Sequence, residues 1–391
     1  MSGGGAHAAY QVGVLRAVVR MLPRDLANPF SIYCGTSAGA INAAVLAAHA
    51  DSLRVGVGRL TGVWGRFAVE DVFAVDWATL VSTAYRWLAG LAFERLGRPL
   101  PPALLDRAPL AGLLAKRLPF GGISAAIQSG RLHAVGVTAS SYASGQSVTF
   151  FEGAPECRPW HRADRAGVAG PLSIAHLLAS SAIPFVFEPV AVGGEYYGDG
   201  AMRQTAPLSA ALHLGAQRLF VIGAQSPVSQ VARFGGPPSP ARIAAHVLNS
   251  IFLEGLDADL ERLERVNQTV RAFTQRGAPA PAGLSEVACF ALYPSEDLTA
   301  LAATYYHTLP RALRFFLGAL ARHGPDAGLA SYLLFERGYC RRLMALGYAD
   351  ALREAEPIRA FLGYPEQGAA GRRAAGRAPR GSEVLPRRFA P

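Results

Sequence analysis

Short, strongly apolar stretches alternate with helix-like stretches along the first part of the chain. The strand-like stretches are 30–34, 132–138, 147–151 and 218–224, and the helix-like stretches are 8–21, 40–48 and 173–180. Strands that alternate with helices are typical of a layered α/β fold whose central sheet is mainly parallel. The pattern therefore predicts an α/β fold with such a sheet at its centre.

The pattern changes after a Pro/Gly-rich stretch at 235–240. Beyond it the sequence is almost entirely helical in pattern, with one strand candidate at 287–292. The C-terminal end is rich in Ala, Gly, Pro and Arg, a composition that is typical of disorder. We therefore expect a first domain at 1–232, a mostly helical extension at 233–365 that packs on it, and a disordered arginine-rich tail at 366–391.

The composition of the 391-residue chain favours a packed protein with an anionic partner. Apolar residues make up 51% and charged residues 17%, which allows a sizeable core and excludes a largely disordered chain. The formal net charge is +10, and no helix-turn-helix, zinc-finger or RNP-like motif accompanies it. We therefore expect an acidic lipid surface rather than nucleic acid as the anionic partner.

The cysteines and the absence of sorting motifs indicate where the chain works. Four widely spaced cysteines form no CxxC pair, which argues against a disulfide framework and a thiolate metal site. This usage suits a reducing compartment, so we expect a cytoplasmic protein. From the pattern of apolar and basic residues we also expect neither a signal peptide nor a transmembrane helix. No HExxH motif, close Asp/His cluster or acidic calcium loop is present, so no metal or other cofactor is expected.

The clearest motif for chemistry is the pentapeptide Gly-Thr-Ser-Ala-Gly at 35–39, which follows an apolar strand and precedes a helix. In such a nucleophile elbow a tight turn holds the serine hydroxyl out from the sheet, and the flanking Gly35 and Gly39 leave room for the helix. The helix N-terminus favours the negative charge that develops in acyl transfer. Ser37 is therefore the candidate nucleophile, and a plain glycine turn is the alternative.

Three glycines, Gly3, Gly4 and Gly5, stand just before the first predicted helix. Their backbone N–H groups could stabilise the oxyanion that forms when a serine attacks a carbonyl. A dinucleotide-binding turn fits less well, because no strand precedes the glycines and Ala8 stands at the sixth position. The third possibility is a flexible N-terminus without a function.

Three elements stand in order along the chain: the glycines at 3–5, the elbow at 35–39 and an Asp-Gly-Ala motif at 199–201. Together they resemble the patatin-like phospholipase family, which pairs a glycine-rich oxyanion loop with a Gly-x-Ser-x-Gly elbow and a later Asp-Gly-Gly/Ala. The resemblance covers about residues 3–225 and includes the stretch LASSAIP at 178–184. The helical part beyond it resembles the extension of some bacterial members.

This resemblance implies a patatin-like hydrolase fold and the hydrolysis of a carboxylic ester in a lipid by a Ser-Asp dyad. Ser37 would attack the ester carbonyl, and Asp199 would take its proton and return it to the leaving alcohol. The glycines before the first helix would hold the oxyanion, while Gly35, Gly39 and Gly200 would support the two motifs. The implied substrate is a phospholipid, peripheral contact with an anionic membrane suits the charge, and no cofactor is implied.

A dyad makes one physical demand on Asp199. A free aspartate, with a pKa of about 3.9, is a weak base at neutral pH, and burial in an apolar pocket strengthens it. Several apolar residues near Asp199 predict such a pocket. They are Phe185, Val186, Phe187, Tyr196 and Tyr197. An ordinary Asp-Gly turn is the alternative interpretation of this aspartate.

The chain departs from the family pattern near its beginning. His7 stands where the family usually has Lys or Arg, and Ala8 stands where it usually has Gly. The family also usually has an apolar strand before the glycine run, whereas here the run follows Met1 and Ser2. We expect a true start upstream of Met1 that supplies this first strand. The alternative is an inactive lipid- or protein-binding module.

Other interpretations remain open for the rest of the chain. A conventional Ser-His-Asp esterase is possible, because several histidines follow the Asp-Gly-Ala motif. They are His213, His246, His307 and His323. The helix at 310–322 has a basic amphipathic pattern that suits a lipid surface, and residues 85–117 could form a lid or acyl-chain wall. Ordinary core helices are the alternative for both segments.

Overall fold

The computed structural model describes residues 1–24, 26–74, 103, 105–224, 255–281, 283–311, 313–314 and 328–364. Helices on both sides of a sheet and at the C-terminal end dominate this part of the chain. The helices are α1 (Ala8–Met21), α2 (Ala38–Ala48), α3 (Leu53–Trp64), α4 (Ala108–Arg117), α5 (Phe120–Gln128), α6 (Ile174–Ser180), α7 (Ser209–His213), α8 (Leu256–Gln275), α9 (Leu298–Tyr305), α10 (Gly328–Tyr332), α11 (Arg337–Arg353) and α12 (Ala355–Leu362). Short 3-10 helices are Gly5–His7, Val69–Asp71, Gly200–Arg203 and Tyr306–Thr308.

The described strands form two sheets, one of seven strands and one of two. The strands are β1 (Ile32–Thr36), β2 (Ala134–Ser141), β3 (Ser147–Gly153), β4 (Trp160–His161), β5 (Arg165–Ala169), β6 (Val190–Val192), β7 (Glu195–Asp199), β8 (Arg218–Ile222) and β9 (Ala288–Leu292). The larger sheet has the order β4-β5-β3-β2-β7-β6, and β1 also pairs with β2. Strands β8 and β9 pair in parallel and form the small sheet.

The layered α/β class with a helical C-terminal part is confirmed, but the larger sheet is mixed rather than mainly parallel. Within its described strands, β1–β2 and β3–β5 are parallel, whereas β2–β3, β2–β7, β4–β5 and β6–β7 are antiparallel. Tight turns explain the β2–β3 and β6–β7 pairs, because they reverse the chain between consecutive strands. Gly145, Gly193 and Gly194 provide the positive φ values, 68°, 60° and 89°, that these turns need.

Strand β2 explains why two distant parts of the chain meet. Strand β1 runs parallel to residues 134–138 of β2, and β7 runs antiparallel to residues 139–141. Since β3 occupies the other edge of β2, the strands β1 and β7 lie end to end on one edge and run toward each other. Their last residues, Thr36 and Asp199, face adjacent positions of β2. The residues that follow β1 therefore lie close to Asp199.

A cavity of about 750 Å³ lies between β1 and β8 and is lined by both strands. Met1 and Ser2 bridge the two strands beside it. The Met1 amine donates to the Cys34 carbonyl at 2.9 Å, and Thr36 N–H donates to the Met1 carbonyl at 3.3 Å. On the other side, Ser2 N–H donates to the Ile222 carbonyl at 3.4 Å. The first strand that the family pattern implies stays a prediction.

The C-terminal helices pack directly on the first helix. A Cβ atom on Gly13 of α1 would overlap the backbone of Met344, and one on Gly347 of α11 would overlap the backbone of Tyr10. The two backbones can approach this closely only because both positions are glycine. The Tyr10 hydroxyl also donates to the buried Asp350 carboxylate at 3.0 Å. Helices α1 and α11 therefore share one continuous core.

Within the described residues, no single helix is both long and apolar enough to cross a membrane. The consecutive helices α4 and α5 reach that length and apolar composition only together, and the chain bends by 42° between them. No described group of three or more His, Cys, Asp or Glu side chains could hold a metal ion. The four cysteines are all free thiols.

Several predictions fall on residues outside the described part of the chain. They concern the boundary at 232–233, the tail at 366–391, most of the helix at 310–322 and most of the segment at 85–117. These boundaries and segments stay predictions.

Candidate active site

Ser37 lies between β1 and α2 in a strained backbone conformation. Its φ of 53° and ψ of −130° are values that residues other than glycine rarely adopt. A Cβ atom on Gly35 would overlap the backbone of Gly39, and one on Gly39 would overlap the carbonyl oxygen of Ser2. The strand, tight turn and helix that the motif requires are thus present, and both flanking glycines are needed for steric reasons.

Asp199 lies at the end of β7 with its carboxylate completely buried. Its Oδ2 atom accepts a hydrogen bond from the Ser37 hydroxyl at 2.8 Å, and its Oδ1 atom accepts one from Ala201 N–H at 2.9 Å. Gly200 must lack a side chain, because a Cβ atom there would overlap the Thr138 carbonyl oxygen. The structure therefore brings together two side chains that stand 162 positions apart.

The environment of Asp199 strengthens it as a base. Burial raises the pKa of Asp199 from 3.8 to about 6, while the Ala201 N–H, the Ser37 hydroxyl and the Arg107 guanidinium lower it in part. Burial therefore dominates over the stabilising hydrogen bonds and the positive charge. At neutral pH the carboxylate is still mostly ionised, and it is a better proton acceptor than a free aspartate.

The apolar surroundings of Asp199 differ from the prediction in two residues. Val186, Phe187 and Tyr197 are buried as expected, whereas Phe185 and Tyr196 are each 60% exposed. Tyr196 precedes Tyr197 on β7, and successive strand residues point to opposite faces of a sheet. Phe185 has a positive φ of 64°, a turn conformation in which its ring lies in solvent. These two aromatic side chains therefore do not line the apolar pocket that surrounds Asp199.

The three N-terminal glycines lie beside the elbow with available backbone donors. A Cβ atom on Gly3 would lie 3.2 Å from the Cβ of Ser37. Gly4 and Gly5 have φ values of 138° and 53°, which favour glycine. Within the described part of the chain, none of the three glycine N–H groups donates a hydrogen bond. This loop therefore presents free donors, and Gly3 among them lies next to the Ser37 side chain.

The C-terminal helices form the back wall of the glycine loop. A Cβ atom on Gly5 would overlap the carbonyl oxygen of Tyr332, whose ring centre lies 4.7 Å from that of His7. His7 is buried, and neither ring nitrogen forms a hydrogen bond with a described residue. Burial lowers the pKa of His7 to about 3, and the nearby backbone of Ala224 offsets little of this effect. His7 is therefore neutral at physiological pH and supplies no positive charge to the loop.

A buried network of amide groups, which sequence reasoning missed, joins α1 to α2. Asn42 of α2 donates to the Ala8 carbonyl and to the Gln11 side chain at 3.1 Å each. Gln11 donates to the Ser2 carbonyl at 2.7 Å, and Trp64 donates to Asn42 at 2.9 Å. The network fixes the glycine loop relative to the elbow. No local motif marks these residues, because their partners come from three separate segments.

Sequence reasoning also gave no role to Ser180 and Ala182. Ser180 Oγ accepts a hydrogen bond from Ser37 N–H at 2.8 Å, and the Ala182 carbonyl accepts one from Asp199 N–H at 2.8 Å. The available signal was the LASSAIP stretch at 178–184. It contains two adjacent serines, and only the three-dimensional contacts show which of them reaches Ser37.

The histidines considered for a triad do not join Ser37 and Asp199 in the described structure. The His213 ring stacks on Trp160 with ring centres 4.8 Å apart, and His307 lies in a 3-10 helix of the C-terminal part. Neither forms a hydrogen bond with the serine–aspartate pair. His246 and His323 lie outside the described residues.

A strand–turn–helix elbow within a layered α/β fold is typical of hydrolases. The family model for patatin-like phospholipases matches residues 1–212. Because this match spans more than half of the chain, the chain belongs to the patatin-like phospholipase family, whose members are lipid acyl hydrolases.

One solved structure that is similar to the chain is that of VipD from Legionella pneumophila. The TM-score is 0.34 and the sequence identity 12%, and the alignment covers 91% of this chain and 66% of VipD. The chain thus spans slightly less than two thirds of the length of VipD, and a similarity at this level says nothing about function. No curated protein sequence matches the chain.

Proposed function

We propose that this chain hydrolyses a carboxylic ester of a lipid, with Ser37 as nucleophile and Asp199 as general base. The observation that carries the proposal is the hydrogen bond of 2.8 Å from Ser37 Oγ to Asp199 Oδ2. A nucleophilic hydroxyl needs a base within about 2.6–3.2 Å to accept its proton. Membership of the patatin-like phospholipase family supports a lipid ester as the substrate class.

The proposed reaction has an acylation step and a hydrolysis step. In acylation the Ser37 oxygen bonds to the ester carbonyl carbon as its proton moves to Asp199. The bond from that carbon to the alcohol oxygen then breaks, and the alcohol leaves with the proton from Asp199. In hydrolysis a water molecule gives a proton to Asp199 and bonds to the acyl carbon. The ester bond to Ser37 breaks, the proton returns to its oxygen, and the fatty acid leaves.

The proposed oxyanion donors are the N–H groups of Gly3, Gly4 and Gly5, with that of Ala38 at the start of α2. Gly3 lies next to Ser37, and the three glycine N–H groups have no acceptor within the described residues. Donors that are fixed before the reaction cost little reorganisation, and each contributes about 3 kcal/mol to transition-state stabilisation. The N-terminus of α2 adds a favourable dipole at the same place.

A phospholipid is the proposed lipid, at an anionic membrane surface. The net charge of +10 favours approach to acidic head groups. Arginine suits such contacts because its guanidinium group donates hydrogen bonds in pairs to phosphate. A cytoplasmic location stays part of this proposal, and a Ser-His-Asp triad finds no support among the described histidines.

Turnover of a short-chain chromogenic ester by the purified chain tests the proposed function. We expect Ser37→Ala and Asp199→Asn each to lower kcat by about 10³-fold or more. Ser144→Ala, in an exposed turn, is the control and should retain wild-type turnover. Turnover that survives both site variants would contradict the dyad. No turnover in the wild type would favour a lipid-binding module without catalysis.

A further inference from the structure

One segment, residues 178–188, contacts both members of the serine–aspartate pair. The side chain of Ser180 accepts a hydrogen bond from the backbone N–H of Ser37 at 2.8 Å. Two residues later, the backbone carbonyl of Ala182 accepts one from Asp199 N–H at 2.8 Å. A short stretch of chain therefore holds the backbones of two residues that belong to different strands.

The hydroxyl group of Ser180 is fully engaged in contacts within the protein. It donates its one hydrogen to the Thr138 carbonyl at 2.6 Å and accepts the hydrogen bond from Ser37 N–H. Ser180 is 0% exposed, so water cannot replace either bond. Because its only hydrogen is donated to a backbone carbonyl, the Ser180 hydroxyl has none to donate to a substrate. Ser180 is therefore suited to positioning rather than to catalysis.

The contacts of Ser180 lie at the junction of β1 and β7 along β2. Thr138 is the β2 residue opposite the end of β1, and the next β2 residue faces Asp199. Ser180 thus connects the sheet to the elbow, where Ser37 has a φ of 53°. A strained backbone conformation persists only where the surrounding structure restrains it. The bond from Ser37 N–H to Ser180 is one such restraint, and it helps to set the direction of the nucleophilic side chain.

Arg107 fixes the segment near both of its ends. One guanidinium nitrogen donates to the Leu178 carbonyl and the other to the Glu188 carbonyl, each at 2.6 Å. The guanidinium carbon also lies 5.6 Å from the ring centre of Phe187. Arg107 is 8% exposed, which leaves it little freedom. A planar guanidinium can bridge two carbonyls in this way, whereas a lysine ammonium is a single point charge.

We propose that Ser180 is a positioning residue that holds the Ser37 backbone in register with Asp199, and that Arg107 keeps the segment carrying Ser180 in place. The inference rests on the proposed function, because it assumes that Ser37 and Asp199 act on an ester. It predicts that loss of the Ser180 hydroxyl slows the chemical step, with little effect on substrate binding.

The variant Ser180→Ala leaves the Ser37 N–H and the Thr138 carbonyl without partners. We expect kcat for a short-chain ester to fall about 10- to 100-fold with KM changed less than about threefold, because a small misplacement of a reacting group costs up to about 100-fold. The midpoint of the pH–rate profile should not move to lower pH, because the Ser37 hydroxyl lowers the pKa of Asp199 and a weaker hydrogen bond from it can only raise that pKa.

Ser181→Ala is the matched control, because Ser181 is the next residue and its hydroxyl donates only to the Leu177 and Leu178 carbonyls. Its kcat should stay within about twofold of the wild type. All variants are compared where circular dichroism shows folded protein, and each rate is divided by the folded fraction. If Ser180→Ala does not fold, Arg107→Lys is the second variant. This variant keeps the positive charge but cannot bridge the Leu178 and Glu188 carbonyls, and it should also lower kcat.

The inference fails if folded Ser180→Ala keeps a kcat within about twofold of Ser181→Ala, or if the loss appears in KM alone. It also fails if the midpoint of the pH–rate profile moves to lower pH, because a displaced Ser37 cannot lower the pKa of Asp199. A wild type without turnover that depends on Ser37 is a different result. It overturns the proposed function itself, and the positioning role falls with it.

Discussion

Replacement of Asp199 by asparagine should abolish ester turnover. The stability of the variant relative to the wild type should also be greater at alkaline pH than at acidic pH. Burial raises the pKa of Asp199 from 3.8 to about 6, so the folded state binds its proton more tightly than the unfolded chain does. The stability that this proton provides is complete below the unfolded pKa of 3.8 and is lost as the pH rises through about 6. Asparagine does not titrate, so the variant avoids this loss.

The size of the effect follows from the pKa shift. A shift of about 2 units corresponds to about 3 kcal/mol when it is fully developed, at about 1.4 kcal/mol per unit. Roughly 1.4 kcal/mol of this develops between pH 5 and 8 for a group with a folded pKa near 6. Any change in the hydrogen bonds of residue 199 that does not depend on pH cancels when the variant and the wild type are compared at two pH values.

Urea denaturation of both proteins at pH 5 and pH 8, followed by circular dichroism, measures the effect. The stability of Asp199→Asn relative to the wild type should grow by about 1.4 kcal/mol from pH 5 to pH 8. Asp164→Asn is the control, because Asp164 is exposed and its pKa is lowered by its hydrogen bond to Thr205. The control should gain no stability over this range. If Asp199→Asn and the wild type change in parallel, Asp199 has no raised pKa and is a poor candidate for a buried base.

Two further predictions concern the surroundings of the site. Arg107 lowers the pKa of Asp199, and in the wild type kcat/KM should rise with pH near 6. The variant Arg107→Gln should therefore show this rise at a higher pH. A pH–rate profile with an unchanged midpoint would contradict this prediction. A methyl group on Gly5 would overlap the Tyr332 backbone, so Gly5→Ala should lower both turnover and the melting temperature. Gly58→Ala, on an open face of α3, should instead stabilise the protein by about 0.5–1 kcal/mol. Wild-type turnover in Gly5→Ala would show that the loop is not rigidly held.

The features that depend on local backbone chemistry could be predicted from the sequence. The elbow at 35–39 needs glycine on both sides of the serine, and the turn at 199–201 needs glycine after the aspartate. These requirements leave a pattern at fixed spacing in the chain. The alternation of short strands and helices likewise indicated the layered α/β class, because each element type has its own period of apolar residues.

The features that depend on distant contacts could not be predicted. Ser180 and Ser181 are chemically identical neighbours, and only the approach of Ser37 and Thr138 distinguishes Ser180. The direction of β7 follows from the turn at Gly193, which reverses the chain and makes the sheet mixed. Apolar stretches in a sequence show that strands exist but not which way they run. For the same reason, the burial that sets the charge of His7 was not visible in its local sequence.

Cleavage of the backbone between residues 224 and 255 should not separate the protein into independent pieces. Helix α1 leads out of the glycine loop and lies against α11 so closely that Gly13 and Gly347 have no room for side chains. Strands β8 and β9 pair across the same division of the chain. Two fragments divided within this stretch should therefore remain associated, and fragments expressed separately should complement each other. An N-terminal fragment alone would expose the apolar face of α1 and would be prone to aggregation.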